Sequence, residues 1–443
     1  MKPIDNKKPL TNVHDLAVNT FERGSKITMD ENSIHRTRIS RFGHLKQQSK
    51  DMSKWLFAMS HEARALNTPV AEKMAHRLFH HASLLGGCAN WMLFKHYYTL
   101  GQYKLDKFIS CKKHMLCPFC SALRASKQAK AYHDKMIAIL KDKPHLKPVF
   151  ITLTVKNGDD LLERFEHLEN SFQVLKDRRR DWKKKNWGFN EFCKIDGCVY
   201  SYETTNKRNG WHPHLHMVAL VDDWIDREKL SKEWKAITGD SFIVDVRRLK
   251  PTKADLSLNV GEQSSNEGDY MEAFMEVFKY ALKFSDMSFE NIWLAHETLT
   301  KETTASDGSV KTRMRRLQGT IGSFRGVKVP EKLTDEPIED NAPFMAILYR
   351  YLGSAYSVTE IQDFPHGQVS NENMAIALED LLSSGETLPT IHNAVTPADA
   401  LTTTKTRRSC DDVEEEKDRR WHELKALPDW LLVFEPDKEI LKE

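Results

Sequence analysis

The chain has 443 residues, 40% hydrophobic and 29% charged, with a formal net charge of only +3, which suits two or three domains with a real core and excludes a globally basic nucleic-acid binder. No apolar run reaches the roughly 18 residues of a membrane span, and residues 1–20 carry lysines but no apolar stretch of the secretory kind. Seven cysteines, an odd number with several close together, argue for reduced thiols and a metal site over a disulfide framework, and so for an intracellular protein.

Residues 1–50 are polar and aperiodic, rich in Asn, Lys, Arg and His, and read as a flexible arm. Residues 51–100 read as helical, with Trp55, Leu56, Met59, Ala63, Met74, Leu78 and Phe79 at helical spacings. Cys88 and Cys111 then precede the pair Cys117 and Cys120. Two cysteines with two residues between them form half of a zinc site, because a tight turn brings both thiolates to one ion. Cys111 is a third ligand close by, and Cys88 the fourth, with His114 as a substitute; buried free cysteines are the plain alternative. Lys112, Lys113, Arg124, Lys127 and Lys130 surround the cysteines and suit contact with DNA phosphates.

Residues 149–155 alternate and are β-branched, a strand pattern, and residues 159–182 return to helical spacing. The end of that helix is densely basic: Arg178, Arg179, Arg180, Lys183, Lys184 and Lys185, with Trp182 and Trp187 interleaved. It is either a solvated face or a nucleic-acid contact. Residues 197–205 form the next strand, joined by a short polar turn to Gly210-Trp211-His212-Pro213-His214-Leu215-His216. Side chains alternate across a strand, so His212, His214 and His216 share one face while Leu215, Met217 and Ala219 take the other. Two imidazoles at i and i+2 can hold one divalent ion, and Glu203 on the neighbouring strand could complete the set.

Residues 226–237 read as a helix, 241–246 as a strand and 255–268 as a loop. Residues 270–286 read as a helix on which Glu276, Tyr280 and Lys283 share one face. Residues 313–328 combine arginines, Arg315 and Arg316 among them, with three glycines and suit a DNA-contacting loop. Residues 344–356 read as a helix, 384–411 as a Thr-, Pro- and Ser-rich linker, and 412–443 as a peripheral helix with a frayed end. No phosphate-binding glycine loop is present.

His212-Pro213-His214-Leu215-His216, the preceding Thr152-Leu153-Thr154 strand and the downstream Glu276, Tyr280, Lys283 helix resemble the HUH endonucleases. More narrowly they resemble the rolling-circle replication initiators of small bacterial plasmids, in the group with a single catalytic tyrosine and a nearby glutamate. The resemblance covers roughly residues 88–357, and the five residues between Cys111 and Cys117 are a wider spacing than that group's. It implies an α+β protein whose nuclease domain has a central antiparallel sheet of about five strands flanked by helices. It further implies Mn2+ or Mg2+ held by His214 and His216 with Glu203 or His212, Tyr280 as nucleophile, Lys283 as phenolate stabiliser and Glu276 as the base that ends the cycle. The implied reaction nicks one strand at a plasmid origin, leaves a 5′-phosphotyrosine and frees a 3′-hydroxyl. The implied partners are origin DNA, a host helicase and a DNA polymerase in a bacterial cytoplasm, with oligomerisation open.

The corresponding division is an arm over 1–50, a helical region with the cysteine site over 51–145, the nuclease domain over 146–330, a helical part over 331–383, and a linker and tail over 384–443. Two other readings compete. An HUH transposase or relaxase differs in tyrosine number or order, since relaxases usually place the tyrosine before the histidines. A zinc-containing DNA-binding regulator without catalysis would leave Tyr280 and the histidines dispensable.

Overall fold

The structure, a computed structural model, describes residues 31–207, 209–251, 268–279, 287–304, 310–338 and 342–364. Sequence-level expectations for the arm over 1–30, most of the 255–268 loop, Tyr280, Lys283, residues 365–383 and the linker and tail lie outside the described residues.

Helix α1 spans Glu31–Ala65, which overturns the arm reading for residues 31–50. Its buried stripe is Phe42, Leu45, Lys46, Ser49, Met52, Leu56 and Ala63, a three-to-four spacing that a purely apolar pattern hides because lysine and serine occupy two of its positions. Asn67 turns the chain in the left-handed region, and Thr68 caps α2 (Pro69–Gly87) by accepting the Ala71 N–H at 3.1 Å. Helices α1 and α2 pack on each other.

The helical reading of 51–100 stops at Gly87, since Trp91–Tyr97 is a strand, β1. It pairs with β2 (Gln102–Phe108), and with β11 (Phe344–Leu352), which pairs in turn with β12 (Ala355–Phe364), in an antiparallel sheet of order β12-β11-β1-β2. The helix expected over 344–356 is therefore a hairpin turning at Gly353. A short apolar run does not distinguish strand from buried helix by period alone; pairing with β1 decides it. This sheet draws two strands from 51–145 and two from 331–364, so those stretches fold together.

The larger sheet has six strands in the order β10-β4-β5-β3-β6-β7. They are β3 (Lys147–Thr154), β4 (Ile195–Lys207), β5 (Gly210–Val221), β6 (Val244–Lys250), β7 (Gly268–Asp269) and β10 (Gln318–Ile321). All neighbours are antiparallel except the two-residue β7 beside β6. The five remaining helices among the described residues are α3 (Pro118–Asp142), α4 (Leu161–Lys185), α5 (Arg227–Thr238), α6 (Tyr270–Phe278) and α7 (Phe289–Thr298). A small hairpin, β8 (Thr300–Thr304) and β9 (Val310–Met314), precedes β10. None of the helices is long and apolar enough to cross a membrane.

Strand alternation sorts the large sheet into two apolar layers. Ile151, Leu153, Tyr200, Tyr202, Leu215 and Met217 pack toward Phe165, Leu168 and Phe172 of α4 and Trp234 of α5. Phe150, Val199, Val218 and Leu220 pack on the other face against Ala129 and Met136 of α3 and Phe274 and Val277 of α6. The histidine strand lies between β3 and β4, so its register is held from both sides.

The edge strand β10 ends in a turn at Gly322, whose φ is +59° and where an added Cβ would lie 1.9 Å from the Asp196 carbonyl oxygen. We expect Gly322→Ala to destabilise the protein by about 2 kcal/mol or more, because alanine there is strained by both φ and contact. Urea unfolding of the two proteins measures it, and an unchanged midpoint would contradict this packing.

Candidate metal centres

The central centre is built by register. His214 stands opposite Glu203 on β4 and Thr154 on β3, and His216 opposite Ser201 and Thr152. Opposed residues share a sheet face, so His214, His216, Glu203, Ser201 and Thr152 all project toward the α6 layer. Glu203 is 2% exposed, and its Oε2 lies 3.4 Å from His214 Nε2 and 3.2 Å from His216 Nε2. The three ligand atoms lie within 4.8 Å of one another. His212, opposite Thr205, stands outside that group.

The remaining ring nitrogens have oxygen partners. His216 Nδ1 meets the Thr152 hydroxyl at 3.1 Å, and His214 Nδ1 meets the His212 carbonyl at 3.3 Å. With a proton on each Nδ1, both Nε2 lone pairs face the Glu203 carboxylate. Such an arrangement repels itself unless a cation lies between, and the separations match the roughly 3–3.5 Å between donors on one divalent ion. Imidazole with carboxylate suits Mn2+ better than Mg2+, which prefers oxygen throughout.

Burial alone would raise the Glu203 carboxyl, but hydrogen bonds that the His214 and His216 rings donate from Nε2–H, the protons a bound ion would replace, and the charge of Lys279 hold it well below the usual carboxylate range. Burial pulls His216 down, against the Glu203 contact that favours its charged form. A charged carboxylate beside a neutral imidazole is the protonation state a metal ligand set needs.

Helix α6 closes the site. The Ser201 hydroxyl donates to the Val277 carbonyl, tying the helix end to β4. Glu276 Oε1 lies 3.9 Å from His216 Nε2. Lys279 Nζ lies 3.7 Å from Glu203 Oε2 and contacts Glu276 Oε1 directly. Sequence reasoning missed Thr152, Ser201 and Lys279. Thr152 lies within the Thr-Leu-Thr strand, but its facing of His216 needed the β3–β5 register; Lys279 was overlooked in favour of Lys283.

The second group is Cys88, Cys111, Cys117 and Cys120, all buried, with ligand atoms within 4.8 Å of one another. Sγ separations are 3.4 Å for Cys88–Cys120, 3.5 Å for Cys111–Cys120 and 3.7 Å for Cys88–Cys117. A tetrahedral zinc with Zn–S bonds near 2.3 Å sets sulfurs about 3.8 Å apart, so the set fits zinc closely. His114 is not needed as a ligand. The Cys117 and Cys120 pair opens α3, where the helix N-terminus favours thiolates. Burial pushes the Cys117 thiol up, so four ionised thiols here require a cation.

Lys46 of α1 reaches into this module, donating to the carbonyls of Gly86 at 2.8 Å and Cys88 at 2.6 Å. Burial lowers its pKa to about 8, against the pull of Cys88. The Ser49 hydroxyl lies 3.3 Å from Cys117 Sγ. Both residues fall in the stretch read as an arm, which is why they went unnoticed.

The basic residues are placed elsewhere. Arg178, Arg180, Lys183, Lys184 and Lys185 are exposed at the end of α4, on the sheet face away from the histidines. Lys183 reaches Asp222, just beyond β5, which is about 26 Å along the strand from His214 at 3.3 Å per residue. Arg179 is taken up by the carbonyls of Ile195 and Asp196 at 2.7 and 2.6 Å. Arg315 pairs with Glu166 at 2.6 Å and Glu169 at 3.5 Å, and Arg316 Nε donates to the Gln318 carbonyl at 3.1 Å.

Two outcomes follow from these geometries. Metal analysis of purified protein should find one zinc per chain, lost in Cys117→Ser together with a lower melting temperature; a metal-free wild type that melts identically would refute the assignment. Thr152→Val removes the partner of His216 Nδ1 without touching a ligand, and should weaken Mn2+ binding about 10-fold or more by calorimetry. Equal affinities would show that the threonine does not orient the ring.

A family model described as replication protein matches residues 102–335. Among curated proteins the chain is 26% identical over 206 residues to Protein rep of Streptococcus pneumoniae serotype 2, covering 43% of this chain and 57% of that protein. It is 24% identical over 170 residues to a Replication protein of Staphylococcus aureus and to one of a Bacillus species, covering 34% of this chain and 63% of each. The matches thus span 57–63% of the length of these relatives. No solved structure matches. The family match takes in both Glu203 and the histidine strand and covers more than half of the 443 residues, and the chain belongs to the replication-protein family.

Proposed function

We propose that the protein initiates plasmid replication by nicking one strand of a double-strand origin with a tyrosine nucleophile, on an HUH-type nuclease fold. The observation that carries this reading is the convergence of Glu203, His214 and His216 with Glu276 and Lys279, immediately before Tyr280 in the chain. Family membership supports the role in replication; the nicking chemistry is inferred from the site. The nuclease unit is assigned to 146–330, with the cysteine module over 51–145 before it.

Glu203, His214 and His216 would hold one divalent ion, which when bound polarises a phosphate oxygen as a Lewis acid. Tyr280 Oη attacks the scissile phosphorus and the bond from phosphorus to the 3′-oxygen breaks. The phosphoryl group stays on the downstream 5′-oxygen as a phosphotyrosine ester. The phenol gives up its proton, and the departing 3′-oxygen takes one up to leave the 3′-hydroxyl a polymerase extends. One phosphodiester replaces another, in keeping with a sequence that has no phosphate-binding glycine loop.

A free phenol has a pKa near 10, so the phenolate needs positive charge nearby. Lys279 and Lys283 are the ammonium groups assigned to that role. Glu276 takes a proton from water when the regenerated origin is cut at the end of the cycle, which releases the protein without a second tyrosine. The exposed cations of α4 are assigned to origin phosphates, and a host helicase and polymerase complete the reaction.

Labelled single-stranded origin DNA, incubated with Mn2+ or EDTA and run on a denaturing gel, tests this. Wild type should give a metal-dependent, protease-sensitive slow band that Tyr280→Phe abolishes. Glu276→Gln should keep the first cleavage but lose hydrolytic release by about 100-fold. Binding to a correct origin without any adduct would overturn the reading in favour of a non-catalytic DNA-binding protein.

A further inference from the structure

Helix α4 ends in an exposed turn that is held at both ends. Asn186 closes the helix in the left-handed region, its N–H donating to the Trp182 carbonyl at 2.9 Å. Gly188 follows with φ at +75°, a conformation glycine adopts without strain. Beyond the turn the Asn190 side chain accepts the Cys193 N–H at 3.1 Å. Phe192 is then fully buried, edge-on to Phe172 of α4. Between these anchors Trp187 is 75% exposed and Phe189 53%, and neither belongs to an apolar cluster of the described residues. Trp182 meets Phe189 with ring centroids 5.1 Å apart and planes at 71°, which fixes that ring while the Trp187 indole stands in solvent.

Exposed cations adjoin the turn: Arg178, Arg180, Lys183, Lys184 and Lys185. Carboxylates answer the first three. Asp177 and Asp181 engage Arg180, Asp222 lies 3.9 Å from Lys183, and the charge of Arg178 acts on Glu233. Lys184 and Lys185, the last two residues of the helix, have no ion pair among the described residues. Lysines in a last helical turn suit the helix dipole, so these charges alone would not indicate a ligand. The dipole does not account for a solvated indole beside them. A matching ligand has closely spaced negative charges and flat apolar faces. Single-stranded DNA offers both, phosphates to the lysines and base faces to the indole, whereas a duplex keeps its base faces inside the stack.

We propose that the turn at the end of α4 binds unpaired DNA, with Trp187 stacking on a base and Lys184 and Lys185 contacting neighbouring phosphates. The proposal rests on the replication reading above for its ligand, and deepens the assignment of the α4 cations by adding base contact and a single-stranded target. Asp222, beside Lys183, lies about 26 Å along β5 from His214, so a strand engaging both places needs roughly eight or more stacked nucleotides at about 3.4 Å each.

The test uses the full chain without added divalent ion and reads fluorescence anisotropy of three labelled probes: a 20-nucleotide oligo(dT), a strand of equal length built of abasic residues, and a 20-base-pair duplex. Trp187→Ala should weaken oligo(dT) binding about 5-fold or more, with an unchanged salt slope and unchanged affinity for the other two probes. The double variant Lys184→Gln, Lys185→Gln should weaken binding of both single strands. Its slope of log affinity against log salt should become shallower by about 1.4, at about 0.7 per phosphate contact. Equal oligo(dT) affinity for wild type and Trp187→Ala would overturn the proposal and leave a protein or lipid surface as the partner of the indole. An equal loss on the abasic strand or the duplex would also overturn it, since the indole would then not be meeting unpaired bases. So would an unaltered slope in the lysine variant. Covalent adduct formation at the nick site is scored separately, and its absence would count against the nicking reading alone, because the anisotropy measurement does not depend on cleavage.

Discussion

A slip of one residue between β4 and β5 would send Glu203 to the face of α4 and α5, away from both histidines. Everything at the centre depends on that register, because side chains alternate with a period of two and the ligands come from different strands. The protein holds it from both sides. Strand β3 pairs with β5 over eight residue pairs, and β4 with β5 from Ile195 to the hairpin end at Gly210. Leu215 and Met217 are buried on the opposite face, so a slip would also push histidines into an apolar layer, where they would lack partners.

The same alternation divides labour across the sheet. The α4 and α5 layer is a dry core whose basic helix end projects at the far end of β5. The α3 and α6 layer carries the polar residues and brings the end of α6 against Glu203 and His216. A helix docked on a strand by a hydroxyl–carbonyl bond, Ser201 to Val277, sets where the following residues begin, which matters for any nucleophile at position 280.

The cysteine module connects the N-terminal helix pair to this core. Its four thiols come from the end of α2, the approach to α3 and the first turn of α3, and α1 supplies Lys46 and Ser49. With a divalent ion held by the four cysteines, the buried Lys46 ammonium would offset the negative charge that the ion leaves unneutralised. A polar stripe on α1 is thus a packing feature, not a solvated face.

Local pattern alone determined much of this. The strands over 149–155, 197–205 and 210–221 and the helices over 159–182 and 226–237 were legible because their apolar periods are long and unambiguous. The histidine face and the four cysteines were legible because ligand spacing is a short-range property. What only the tertiary structure decided is what depends on pairing between distant residues. The convergence of Glu203, and not His212, with His214 and His216 follows from strand register, as does Thr152 as the partner of His216. The strand identity of 91–97 and 344–352 follows from their pairing with each other across the chain. Helix α1 was hidden because its buried stripe contains lysine and serine, whose burial makes sense only beside the cysteines. The cations of α4 read in sequence as either a solvated face or a nucleic-acid contact, and the sheet places them on the face opposite the histidines because the apolar layer of α4 packs there.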